Sequence, residues 1–192
     1  IILEEGSTIG QFYLYEFAGF SPSGEFRIVN RNGQVIPASS KIADDKKLMG
    51  NFTPKLMYGW SHTFKYRNFD ASINMHGWCG FDVYNTYAMS LGIAGRNGEC
   101  NVLKAAYDTF SHIKDEKLMS NYYLEDGSFL KIDAVTVGYL FPLRSHTKDF
   151  VESLRLYFTA GNLATITGYT GLDPEINIVG YDGGIDNYQH AY

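Results

Sequence analysis

Residues 128–141 read SFLKIDAVTVGYLF, directly after NYYLEDG at 121–127. The side chains alternate with a period of two. Leu130, Ile132, Ala134, Thr136, Gly138 and Leu140 fall on one face of an extended chain, and Phe129, Lys131, Asp133, Val135, Val137, Tyr139 and Phe141 on the other. That period predicts a β-strand. Both faces are partly apolar, so neither is plainly the watery side of a soluble sheet, and the fold turns on what each face meets.

Three more segments carry the same signal. In KLMYGWSHTFKY (55–66), Leu56, Tyr58, Trp60, His62, Phe64 and Tyr66 oppose Lys55, Met57, Gly59, Ser61, Thr63 and Lys65. A short turn at Arg67-Asn68 leads into FDASINMHGWCG (69–80), where Phe69, Ala71, Ile73, Met75, Gly77 and Cys79 oppose Asp70, Ser72, Asn74, His76, Trp78 and Gly80. These two segments read as a hairpin with one greasy face and one small, polar face. The last segment, LRLYFTAGNLATIT (154–167), repeats the segregation except at Asn162, which falls on the apolar side. Either a bulge near Gly161-Asn162 re-aims the chain, or that end lies beyond the apolar environment.

The fold class expected is therefore all-β and antiparallel, with very unequal connections. Segments 1–54, 81–127 and 168–192 are long, and 55–80 and 128–167 are the two hairpins. Structureless loops of that length usually carry function. Within the first, QFYLYEFAGF (11–20) and RIVNRNGQVI (27–36, with an Asn32-Gly33 turn) predict smaller strands. Within 101–119, Val102, Ala106, Phe110 and Ile113 share a helical face behind a capping Asn101, which predicts one short amphipathic helix.

Composition narrows the function classes. Of 192 residues, 16% are aromatic and 20 are glycine, against only 5 prolines, a mixture that favours strands and turns. A net charge of −5 without a basic cluster argues against nucleic acid as a partner. No apolar run approaches the roughly 20 residues of a spanning helix, so any membrane role must use strands. The chain opens on Ile1-Ile2-Leu3 with no signal peptide, as a processed product or an internal fragment would.

Chemistry-bearing constellations are scarce. No nucleophile framing of the GxSxG kind singles out a catalytic set, and the five histidines stand at no zinc spacing, so neither an enzyme nor a metal or other cofactor is expected. Asp173, Glu175, Asp182 and Asp186 lack the spacing of a calcium loop and read as a solvated segment. Cys79 and Cys100 are compatible with two thiols or with one disulfide. For ligand contact, aromatic rings flanked by polar groups are the candidates: His76 and Trp78 on a polar strand face, and Tyr84, Tyr87, Tyr122 and Tyr123 in the long segments. The same rings also suit packing loops together or forming an aromatic belt.

A greasy face opposite a small polar face fits a soluble sandwich, whose greasy faces meet in a core, and equally a membrane barrel, whose greasy face meets lipid. Strands of about 12 residues exceed the usual mode of about 5 to 6 and cover the roughly 9 to 11 a tilted spanning strand needs.

The phrases ILEEGSTIGQFYLYEFAGF (2–20), GNFTPKLMYGWSHTFKYRNFDASINMHGWCGFDVYN (50–85), NYYLEDGSFLKIDAVTVGYLFP (121–142) and LRLYFTAGNLATITGYTGLDPEIN (154–177) resemble, in order, the C-terminal region of the SusC/RagA family of TonB-dependent outer-membrane transporters of Bacteroidetes. EDGSFLKI followed by GNL and GLDPE carries most of the specificity. The resemblance implies part of a transmembrane barrel of the 22-stranded type, filled by an upstream plug and closed by a strand beyond Tyr192. It also implies a multi-pass protein of a Gram-negative outer membrane that imports oligosaccharides or peptides, with a SusD-like lipoprotein lid and TonB as partners. The turns at 67–68 and 142–153 would then be periplasmic and the long segments extracellular. Tyr58, Trp60, Phe64, Ile73, Val135, Val137, Tyr139, Phe141, Leu156 and Phe158 would face lipid. Lys131 and Asp133 would share that face above the hydrocarbon, and Thr136 and Gly138 would turn inward. The other reading is a soluble β-rich carbohydrate-binding module.

Overall fold

A computed structural model describes residues 5–96, 98, 100–143, 153–180 and 183–186. The alternating runs all become strands. In chain order the elements are β1 (Phe12–Phe20), β2 (Phe26–Val29), β3 (Val35–Pro37), β4 (Lys46–Met49), β5 (Leu56–Tyr66), β6 (Phe69–Cys79), β7 (Asp82–Tyr84), α1 (Thr86–Leu91), β8 (Leu124–Asp126), β9 (Phe129–Pro142) and β10 (Ser153–Thr167), with short 3₁₀ turns between them. The chain divides into two compact units, 55–79 with 128–168 and the remainder.

The first unit is one antiparallel sheet in the order β10-β9-β6-β5. Its tight connection puts Arg67 at φ 53°, in the left-handed region that a two-residue hairpin turn asks for. The ladder registers align the apolar side chains in six rows: Phe141 with Leu154; Tyr66, Phe69, Tyr139 and Leu156; Phe64, Ala71, Val137 and Phe158; His62, Ile73, Val135 and Ala160; Trp60, Met75, Ile132 and Ala164; Tyr58, Gly77, Leu130 and Ile166. At about 6.8 Å per two residues the rows cover about 34 Å along the strands, or about 26 Å after a tilt of roughly 40°, close to the apolar band of an outer-membrane barrel. Among the described residues no second layer covers this face: Trp60 is 57% exposed and Phe158 73%. The sandwich reading requires these greasy faces to meet in a core, and they do not.

One strand departs from the alternation read in the sequence. Asn74 pairs with Ala134 but Met75 pairs with Ile132, so Asp133 is an extra residue on β9. A bulge of this kind flips the phase of everything beyond it. Leu130 and Ile132 therefore join Val135 and Val137 on the apolar face, while Phe129 and Lys131 pass to the polar face beside Trp78 and His76. The placement of Lys131 and Asp133 on the apolar side is thereby corrected, since the Asp133 carboxylate also lies 2.8 Å from His76 Nδ1. The ladder between β9 and β10 shifts at the same level, between Gly161 and Ala164, with Asn162 at φ 50°. Of the two explanations for Asn162, the bulge is the one observed.

The second unit holds the buried core. Its sheet runs β3-β2-β1-β4, with β7 and β8 as a separate pair. Phe12, Leu14, Phe26, Ile28, Phe52, Ile113 and Tyr123 are all buried in one cluster. The Asn32-Gly33 turn forms between β2 and β3, with Gly33 at φ 78°. The helix expected within 101–119 is absent. That stretch folds as successive tight turns, with Ala106 N–H bonded to Leu103 O and Ile113 N–H to Phe110 O, and it still buries Ala106 and Ile113. Isolated short helices are marginal, and tertiary packing decides them. Here α1 at Thr86–Leu91 forms instead, capped by Asn85, whose Oδ1 accepts the Ala88 N–H at 2.8 Å.

Asp45 ties the β2–β3 hairpin to the start of β4. Its buried carboxylate accepts the N–H groups of Arg31 at 3.0 Å and Ile42 at 2.9 Å. These donors hold its carboxyl below the usual carboxylate range. A depressed folded-state value means that the bonds stabilise the fold above the unfolded value of about 3.9 and lose this contribution as pH falls through the folded value. Hydrogen exchange across a pH series, corrected for intrinsic rates, is expected to show protection of the Arg31 and Ile42 amides unchanged from about pH 5 upward and falling below about pH 3.9. Protection that persists at the acid end would contradict this role for Asp45.

Candidate functional site

The polar face of the long sheet is a wall built by register. Met57, Trp78, Phe129 and Thr167 form its row furthest from the Arg67 turn, followed by Gly59, His76, Lys131 and Thr165, then Ser61, Asn74, Ala134 and Gly161, then Thr63, Ser72, Thr136 and Thr159, and finally Lys65, Asp70, Gly138 and Tyr157. Small hydroxyl residues dominate the middle rows, where Ser61 bonds Asn74 and the Thr136 and Thr159 hydroxyls lie 2.9 Å apart. Such a lining suits a wet surface along which a polar solute passes.

Aromatic and charged groups gather at the far end. Phe129 is buried, with Trp78 at 5.4 Å and the His76 ring edge-on at 5.6 Å, and Lys131 Nζ stands 5.6 Å from its ring centre. His76, oriented by Asp133, and Trp78 thus belong to one cluster with Phe129 and Lys131. Sequence reasoning missed the last two, because no residue type announces the bulge that turns them to this side.

The four tyrosines of the long segments separate by burial. Tyr84 and Tyr123 are each 2% exposed and sit in the core cluster, so they hold the loops together and present no ring surface to a ligand. Burial pushes both phenols well above the ordinary tyrosine range. Tyr122 is half-buried against Phe17 at 4.8 Å and Phe20 at 5.4 Å. Tyr87, also half-buried, borders a groove of about 220 Å³ with Leu103, Phe110 and Leu172. Only Tyr87 and Tyr122 among the four retain exposed surface.

Two carboxylates of the acidic segment accept hydrogen bonds from within it or close by. Asp173 accepts the Glu175 N–H at 2.9 Å, and Asp186 accepts the Tyr169 hydroxyl at 2.6 Å. Burial and that carboxylate keep the Tyr169 phenol protonated far above its ordinary range. Asp182 lies outside the described residues. Among the described residues no group of His, Cys, Asp or Glu is arranged to hold a metal, and Cys79 and Cys100 are not bridged to each other.

No family model matches the chain. A TonB-dependent receptor, P3, of Formosa agariphila is 29% identical over 194 residues, covering 92% of this chain and 19% of the relative. The TonB-dependent receptor SusC of Bacteroides thetaiotaomicron is 28% identical over 181 residues, covering 89% and 17%. In structure, the RagAB peptide importer in its open-open state superposes with a TM-score of 0.67 at 19% identity, over 96% of this chain and 22% of that one. A second RagAB peptide transporter structure gives 0.67 at 22% identity over 91% of this chain.

The chain is SusC-like in sequence and RagA-like in fold. The sequence likeness is to TonB-dependent receptors, and the RagAB importer shares the fold. This SusC/RagA-like chain spans about a fifth of the length of the curated relatives it matches. Within it, the uncovered apolar rows and the hydroxyl-rich opposite face are two sides of one wall, and β5 and β10 are its open edges.

Proposed function

We propose that the chain supplies wall and outer loops to a TonB-dependent nutrient importer of the outer membrane, which takes up oligosaccharides or peptides under a SusD-like lipoprotein lid. The observation that carries this reading is the four-stranded sheet with about 26 Å of uncovered apolar rows on one face and hydroxyls on the other. Tyr58, Trp60, Phe64, Ile73, Val135, Val137, Tyr139, Phe141, Leu156 and Phe158 share the apolar face, which meets lipid, and the polar face lines the lumen. In lipid every backbone group needs a partner, so the open edges at β5 and β10 pair with further strands of the complete protein. Segments 55–80 and 128–167 form the barrel part, and 1–54, 81–127 and 168–192 lie on the extracellular side. TonB, which acts from the inner membrane, engages the complete protein outside this wall.

Extraction tests the reading. The complete protein is expected to stay with the outer-membrane fraction through an alkaline carbonate wash and to leave it only in detergent. A folded monomer released into plain buffer would overturn the barrel assignment.

At the far end of the wall, Trp78 and His76 contact the imported solute, because a ring flanked by polar groups serves sugar faces and peptide side chains alike. Tyr122 and Tyr87 are lesser candidates, with less ring surface free. Trp78→Ala in the complete transporter is expected to weaken solute binding about tenfold or more, the scale of losing a central aromatic contact. Binding and uptake that match the parent protein would remove Trp78 from the site.

A further inference from the structure

The turn end of the sheet holds a further feature at its rim, between the two faces. Lys65, Arg67 and Arg155 line a groove of about 240 Å³ together with Phe69, Asp70 and Leu140. Asp70 is the one carboxylate among these residues, so three positive charges face one negative charge.

The geometry settles which donors remain available. Arg155 reaches across β9 to give Asp70 two hydrogen bonds, from Nε at 3.1 Å and from Nη2 at 2.5 Å. Gly138 makes that crossing possible, since a Cβ there would lie 2.8 Å from both Arg155 Nη2 and Asp70 Oδ2. The planar fork of the guanidinium is thereby occupied, and Nη1 is left. Lys65 stands opposite Asp70 in the ladder and forms no hydrogen bond or ion pair among the described residues. Arg67 is fixed by its turn and lies 5.3 Å over the Tyr66 ring.

We propose that this groove binds a phosphate group. A carboxylate is best held by a free, planar guanidinium fork, and Asp70 already takes the fork of Arg155. Three separate cationic residues lining one small space, with Lys65 unpaired among the described residues, suit a tetrahedral oxyanion instead. The volume is below the roughly 300–1,000 Å³ of pockets for larger organic ligands. Free phosphate and a phospholipid headgroup both carry the chemistry. The headgroup source rests on the membrane reading above, because it needs the Tyr66, Phe69 and Tyr139 row to stand at a lipid interface, whereas the inorganic source does not.

The test uses the complete protein in detergent and titrates it calorimetrically with inorganic phosphate. Saturable binding is expected, weakened about tenfold by Lys65→Gln and by Arg67→Gln, the loss of one charge-assisted hydrogen bond. Lys46→Gln, the same charge change in the other unit, should leave it unaltered. A parallel arm reconstitutes the protein with phosphatidylglycerol or phosphatidylcholine and counts retained lipid by native mass spectrometry. Phosphatidylglycerol retention that Lys65→Gln abolishes assigns the phosphate to a headgroup. Binding of inorganic phosphate alone assigns it to free phosphate. Absence of binding in both arms, or equal weakening by Lys46→Gln, overturns the proposal. Carbonate extraction of the same preparation reports on the barrel reading separately, so the two can fail independently.

Discussion

Arginine in place of Val137 will keep most of the complete protein out of the outer membrane. Val137 lies in the second row from the Arg67 turn, between Ala71 and Phe158, with its side chain partly exposed on the apolar face. A cation near the bilayer midplane on that face costs about 2–4 kcal/mol, and the penalty falls toward the interfaces. Lys131→Glu reverses a charge in the first polar row beyond the bulge, yet it should insert normally. The sequence alone gave a depth argument for this contrast, with Lys131 above the hydrocarbon. The structure replaces it with a side argument, because Lys131 pairs with His76 on the wet face. The measurement is the yield of heat-modifiable protein in the outer-membrane fraction. Equal yields for the two variants would remove the lipid assignment of the Val137 face.

Phe26→Ala is expected to loosen the unit that carries the long segments while leaving the sheet inserted. Phe26 is 0% exposed, and its ring meets Phe20 at 4.9 Å, Tyr122 at 5.9 Å and Phe17 at 6.0 Å. Its backbone N–H is also bonded to Asp115 at 2.9 Å, which draws the run of tight turns onto the hairpin. Truncating a buried phenylalanine costs about 3–5 kcal/mol, through lost burial and the cavity left behind. The unit has its own core, and the spanning sheet shares none of those rings. Protease added to intact cells should therefore cut within 1–54 or 81–127 in the variant and not in the parent, at equal membrane yield. A variant that disappears from the membrane, or one that stays resistant, would show that the two units do not divide stability in this way.

Much of the architecture was legible because strand alternation is a local property. The four long strands, the tight turn at Arg67-Asn68, the Asn32-Gly33 hairpin and the irregularity at Asn162 each follow from residues within a few positions of one another. The helix was misplaced for the complementary reason. The spacing of Val102, Ala106, Phe110 and Ile113 satisfies a helical face, but a sequence of tight turns buries Ala106 and Ile113 equally well, and the Asn85 cap three residues before Ala88 was the better signal. For the site, Trp78 and His76 were visible as large groups on a small polar face. Tyr84 and Tyr123 were not separable from exposed loop aromatics, since burial depends on which segments come together.

By itself, then, the sequence determined that this chain makes long, two-faced antiparallel strands joined by one tight turn and long loops, and its phrases determined the kinship with SusC/RagA-like transporters. Only the tertiary structure decided which way SFLKIDAVTVGYLF faces. From Ala134 to Phe141 the alternation holds as read, and before Ala134 one extra residue, Asp133, held against His76, turns Phe129 and Lys131 to the polar side and Leu130 and Ile132 to the apolar side. The physical reason is that a strand's period is local, whereas its register is a relation to its neighbours. A bulge is seen only when β6 and β10 are laid beside β9.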